Sequence, residues 1–224
     1  MPRLAVVGDQ LLTTQAVSAA LAARGFATAA FPLTQRPEEV RRLRRAVAAW
    51  SDEAVLLLEV LDRGHVSSML RLIRSSPQTR WLLLWGVREE PHWGAAIDAG
   101  AAGVLPVTVG LEELAAAVRG VGREGTLHSA RERRRLVRAW ESWSEGHRQL
   151  LARLELLTPR EGEVLESLRQ GMTVTEVSEA AGVSVDTVRS QVRAVLHKLD
   201  VPSQLAAVAL LQRAIDLQPV ARRA

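Results

Sequence analysis

Arg189 and Arg193 stand four residues apart, so on a helix they project from one face. A guanidinium is a planar, permanently charged fork of donors, the shape that takes guanine O6 and N7 together. Short polar residues surround the pair: Ser184, Asp186, Thr187 and Ser190. On the opposite side of the same stretch Val185, Val188, Val192, Leu196 and Leu199 recur at steps of three and four, which supplies an inner face. The segment therefore offers base-edge reading. Ser184, Thr187 and the first backbone N–H groups of the helix would serve as phosphate ligands.

Other residue types narrow the chemistry. The 224 residues include no cysteine, which excludes disulfides, Cys-ligated zinc, iron–sulfur clusters and thiol catalysis. His65, His92, His128, His147 and His197 are scattered without metal-ligand spacing. There is no G-x-S-x-G elbow and no phosphate-binding glycine loop with a lysine, so the sequence reads as a non-enzyme with neither metal nor cofactor. The pI near 10.9 overstates basicity, because net charge is only +4. Lys198 is the only lysine and there is no tyrosine, so the basic side is almost all arginine, which keeps its charge to above pH ~12. No apolar run approaches the ~18 to 20 residues of a membrane span. The N-terminal apolar stretch is too short for a secretory signal, and a cytoplasmic protein is expected.

The elements that must hold the arginine pair lie between Leu157 and Ile215, where short helices follow one another without a strand signal. Thr158-Pro159-Arg160-Glu161 places Thr at N-cap, Pro at N1 and Glu at N3, a capping box. Helices are expected over 159–169, 174–181, 184–199 and 203–215. Gly171 closes the first, Thr173 or Thr175 opens the second, and Gly182 permits the bend to Ser184, N-cap of the third. Two helices joined around a glycine, the second longer, form the helix-turn-helix pattern, whose second helix enters the major groove.

The first half alternates strand and helix. Strands are expected over 4–7, 26–31, 54–60, 81–85 and 103–105, each followed by a helix, which implies a parallel sheet with helices on both faces. Gly120, Gly122 and Gly125 suggest a flexible stretch after the last of these helices. A long helix over 129–157 then carries Arg131, Arg133, Arg134, Arg135 and Arg138, which form a solvated face or add phosphate contacts. Its stripe of Leu136, Trp140, Trp143, His147, Leu150, Leu154 and Leu157 keeps a 3.5-residue period. The stripe is either a dimer seam or a linker helix packing on its own domains, and Gly146 is a place for it to bend or break.

The run Leu157-Thr158-Pro159-Arg160-Glu161, with Glu163-Val164-Leu165, Gly171, Glu176-Val177, Val183-Ser184, Thr187-Val188-Arg189, Val192 and Lys198-Leu199, resembles the LuxR-type helix-turn-helix domain. The resemblance covers residues 157–211. It implies a four-helix DNA-binding module whose third helix reads the major groove and whose fourth mediates dimer contact. By position, the base readers fall on Arg189, Ser190 and Arg193, with Thr187 and Lys198 near phosphates. Gln191 stands where many relatives carry a histidine or another polar residue, which leaves the target sequence open.

The N-terminal 120 residues are similar in element order to the receiver domain of response regulators. Leu56-Leu57-Leu58-Glu59-Val60 sits like the acceptor strand, and Gly100 to Leu105 like the approach to the last strand. Phosphoryl transfer there requires an acidic pair holding Mg²⁺, an acceptor Asp, a hydroxyl and a lysine. This chain departs at each position. Asp9 follows Gly8 and lacks a second acid, Glu59 occupies the acceptor position, Trp85 replaces the hydroxyl and Pro106-Val107 the lysine. Asp62, in the loop after the strand, is not expected to substitute. Trp81, Trp85 and Trp93 are either packing residues or the lining of a ligand pocket.

The reading is a (βα)5 doubly wound parallel sheet over 1–120, a linker with a long helix over 121–156, and an all-α LuxR-type domain over 157–224. The expected function is sequence-specific transcription regulation independent of phosphorylation, as a homodimer on a two-half-site DNA operator, with RNA polymerase as a further partner. The alternative is a ligand-responsive regulator whose pseudo-receiver binds a small metabolite.

Overall fold

The computed structural model describes residues 1–59, 63–86 and 90–216. Two compact units divide it, Met1–Ser142 and Trp143–Gln218. In the first, strands β1 (Arg3–Gly8), β2 (Ala27–Pro32), β3 (Glu53–Leu58), β4 (Arg80–Trp85) and β5 (Gly103–Pro106) form one parallel sheet in the order β2-β1-β3-β4-β5. After a charged first residue (Arg3, Glu53 and Arg80), the three central strands are buried at every position and almost wholly apolar, as burial on both faces demands.

Alternation assigns the two faces. Ala5, Val7, Leu56, Leu58, Trp81, Leu83 and Trp85 face α2 (Pro37–Trp50), α3 (Arg63–Arg74) and α4 (Glu90–Asp98). Leu4, Val6, Val55, Leu57, Leu82 and Leu84 face α1 (Leu11–Ala22) and α5 (Leu111–Glu124). Pro37 at the first turn of α2, followed by Glu38 and Glu39 at its positive end, explains where that helix begins.

Two glycine expectations are corrected. Gly120 and Gly122 are not a flexible stretch but lie inside α5, which continues to Glu124. Val118 and Val121 are each only 2% exposed, and burying two valines outweighs a helix penalty of about 1 kcal/mol per glycine. Gly125 ends the helix, at φ +78, with its N–H on the Val121 carbonyl. Likewise α6 (Ala130–Glu155) runs through Gly146 without a break.

The start of α6 is fastened to the sheet. His128 Nε2 lies 3.1 Å from the Val104 nitrogen, and Arg133 donates to the Ala101 carbonyl at 2.9 Å. The α6 stripe is covered by the chain itself at both ends. Leu136 and Trp140 join the core of the first unit, and Leu154 and Leu157 join a core of the second.

The second unit adds α7 (Pro159–Arg169), α8 (Val174–Ala181), α9 (Val185–Leu199) and α10 (Gln204–Asp216) to the end of α6. Val164, Leu168, Val177 and Val188 make one cluster, and Leu165, Val195, Leu199 and Ala207 the other. No single helix among the described residues is long and apolar enough to cross a membrane.

Candidate nucleic-acid interface

The helix α9 is held from behind and open in front. Val188, Val195 and Leu199 are buried, while Asp186, Thr187, Arg189, Ser190, Arg193 and His197 are exposed. Ser184 caps it: its Oγ accepts from the Thr187 N–H at 3.1 Å and lies 2.8 Å from Thr187 Oγ1. Behind Ser184, Gly182 turns the chain at φ +64, the left-handed conformation that glycine adopts without steric cost. The free N–H groups of the first turn and two hydroxyls thus gather at the positive end of the helix dipole.

Arg189 Nη1 donates to Asp186 Oδ1 at 3.2 Å, with side chains 60% and 89% exposed. Such a surface pair is worth little and releases its guanidinium readily. Arg193 is exposed and projects one turn further on. Of the expected set, Ser184, Thr187, Arg189, Ser190 and Arg193 therefore lie on one open surface. Gln191 is half-buried, and its Oε1 is buried without a partner.

Lys198 does not join that surface. Its Nζ donates at 2.7 Å to Glu161 Oε2, whose side chain is 10% exposed. The same carboxylate accepts from the Thr158 N–H at 2.7 Å, and Thr158 Oγ1 accepts from the Glu161 N–H. The capping box of α7 is thus locked to the last turn of α9. The lysine first, then the Thr158 N–H, holds the Glu161 carboxyl below its ordinary pKa.

A depressed carboxyl pKa adds stability that is fully present above the unfolded value and disappears as pH falls through the folded value. We expect Lys198→Met to destabilise the second unit by about 1–3 kcal/mol at neutral pH, by leaving a largely buried carboxylate short of a partner. The difference from wild type should shrink in acid, as Glu161 protonates. Urea unfolding followed by circular dichroism at neutral and acid pH measures both.

A second capping box holds α8. Thr173 N–H donates to Glu176 Oε2 at 2.7 Å and Glu176 N–H to Thr173 Oγ1 at 3.3 Å. The T-x-x-E spacing of Thr173 and Glu176 was the available signal, and it selects Thr173 over Thr175 as the N-cap. Glu166, on α7, is drawn down to about 2 by hydrogen bonds from Arg169 and Gln170.

At the carboxyl edge of the sheet the register brings the receiver positions together. Gly8 pairs with Leu57, Leu58 with Trp85, and Trp85 with Pro106, so Asp9, Glu59 and Val107 follow strand ends on one edge. The Glu59 N–H lies 3.4 Å from Asp9 Oδ1, and the Glu59 side chain is exposed. Val107 offers only an aliphatic group, 36% exposed.

Trp85 is 1% exposed, with its ring edge-on to His92 at 6.1 Å, and Trp81 is 0% exposed. Both belong to the core. Among the described residues no group of three His, Asp or Glu side chains is placed to hold a metal ion. Asp62 lies outside the described residues.

Residues 155–211 match the family described as bacterial regulatory proteins, luxR family. The response regulator VraR of Staphylococcus aureus strain Mu3 is 26% identical over 157 residues, 68% of this chain and 69% of its own. The strain NCTC 8325 protein is 26% identical over 160 residues, 69% and 71% of the two chains. A structure of the Salmonella typhimurium RcsB response regulator aligns with 94% of this chain and 98% of its own, at 16% identity and a TM-score of 0.47. The helices α7 to α10 are a LuxR-type DNA-binding domain, carried on a chain with the receiver-like fold and the relatives of a response regulator.

Proposed function

We propose that the protein regulates transcription as a homodimer that reads a two-half-site DNA duplex through α9, without phosphoryl transfer to its receiver-like unit. Residues 1–120 act as the receiver-like domain, 121–156 as the connector and the residues from 157 as the DNA-binding domain. The observation that carries the reading is the open face of α9. Arg189, Ser190 and Arg193 project from a helix whose other side is locked in a core and whose start is capped by Ser184.

In this reading Arg189 and Arg193 take base edges in the major groove. Ser184, Thr187 and the first N–H groups of α9 hold phosphate and set the register. Lys198 works from inside, by holding Glu161 and thereby the angle between α7 and α9. A duplex with two half-sites lets two copies combine two modest interfaces, which suits a domain whose acidic and basic residues roughly balance.

Independence from phosphorylation rests on the edge chemistry. Asp9 is a single acid, Glu59 reaches one methylene further than Asp, and Trp85 fills the hydroxyl position with a buried ring. The one lysine is in the other unit. A metabolite pocket built on the tryptophans draws no support from the burial of Trp81 and Trp85 in the core.

Incubation with acetyl phosphate and Mg²⁺, followed by intact mass, tests the chemistry. The expected spectrum is unchanged. A stable added phosphoryl group within residues 1–120 would overturn this part of the reading.

A further inference from the structure

We propose that the second unit has a binding site for a small aromatic carboxylate, in the cleft between the end of α6 and α10. The cleft encloses about 510 Å³, the size range of small-molecule sites. Gly146, Ala206 and Ala209 open it, since none carries a side chain beyond Cβ. Its apolar wall is Trp143, Leu150 and Leu210, which would cover a flat hydrocarbon body.

The polar lining is one-sided. His147, Arg153 and Arg213 are cationic or can become so, and no carboxylate among the described residues lines the cleft. Arg153 is partly engaged, donating to the Leu199 carbonyl at 3.3 Å. Arg213 is exposed and pairs with no acid among the described residues. A cation beside an apolar wall asks for an anion attached to an apolar body, which a bare phosphate or a neutral ligand does not provide.

His147 is the independent observation. It is 6% exposed and stacks on Trp143 with ring centroids 5.3 Å apart and planes 10° from parallel. Both ring nitrogens are buried without a hydrogen-bond partner, although the ring lines the cleft. A buried imidazole with an unanswered N–H is uncommon, because buried polar groups normally find a partner. Burial first and Arg213 second hold its pKa below the ordinary value, so the ring is neutral at pH 7. A carboxylate entering the cleft answers both groups: it accepts from the Arg213 fork and, after a small turn of the imidazole, from the His147 N–H. The site adjoins the DNA-reading apparatus, since α10 packs on α7 and α9.

Salicylate is the probe, salicylamide its neutral counterpart, and the full-length chain the sample. Calorimetric titration should show saturable binding of salicylate, with salicylamide about tenfold weaker or more. Salicylate should also shift the His147 imidazole carbon–proton resonance, assigned by its loss in His147→Asn. Arg213→Gln should weaken binding by about tenfold. Ala209→Trp, which fills the cleft from an exposed position, should abolish it while leaving the circular dichroism melt in place. Absence of saturable binding overturns the site. So does binding that survives both substitutions, or binding that leaves the His147 resonance unmoved.

Discussion

Replacing Arg189 by Ala should lower the preference for the selected operator over scrambled duplex by about 5- to 150-fold, equivalent to about 1–3 kcal/mol. Arg193→Ala should do the same at a different base position. The prediction follows from geometry: both side chains are exposed, neither belongs to a core, and the Arg189–Asp186 pair is a screened surface contact. Stability should therefore change by no more than about 0.5 kcal/mol, which separates lost recognition from lost folding. The two losses need not add, because residues one turn apart on a helix share neighbours. Fluorescence anisotropy with selected and scrambled duplexes at one fixed salt concentration gives the ratio. Equal losses on every sequence would mean that the arginines only hold phosphate.

The second large effect belongs to the first unit. Trp85→Ala should destabilise it by about 3–5 kcal/mol, the usual loss when a large aromatic side chain is removed from a core. Trp85 is 1% exposed and sits on β4 beside Leu58 and Pro106, under the face that carries α4. Its Nε1 is buried without a partner, so Trp85→Phe should cost much less, losing some area but no hydrogen bond. Urea unfolding of the full chain should show the loss in one of two transitions, because two units with separate cores need not unfold together. Trp85→Thr restores the hydroxyl of a working receiver and should still take up no phosphoryl group, since Gly8 stands beside Asp9 in place of a second acid and residues 1–156 contain no lysine.

Much of this architecture was legible because local and global signals agree. The apolar runs at 4–7 and 54–60 fit strands, the second buried on both faces, and Thr158-Pro159-Arg160-Glu161 marks a helix start in four residues. What escaped the sequence depends on contacts between distant residues. Gly120 and Gly122 look like breakers, yet α5 holds through them because Val118 and Val121 are pressed on the sheet. Lys198 looks like a phosphate ligand by position. Its partner Glu161 lies 37 residues away, and no local pattern announces that pair. The burial of His147 against Trp143 was similarly hidden, because a 3.5-residue stripe says which residues share a face but not what covers them. The α8 capping box, by contrast, was written plainly in Thr173 and Glu176.

The most direct measurement compares the affinity of the untreated protein for its selected duplex and for scrambled duplex, before and after incubation with acetyl phosphate and Mg²⁺. The account predicts a clear preference in the untreated sample, the same ratio after treatment, and an unchanged intact mass. A preference that is missing at first and appears only with an added phosphoryl group would contradict it.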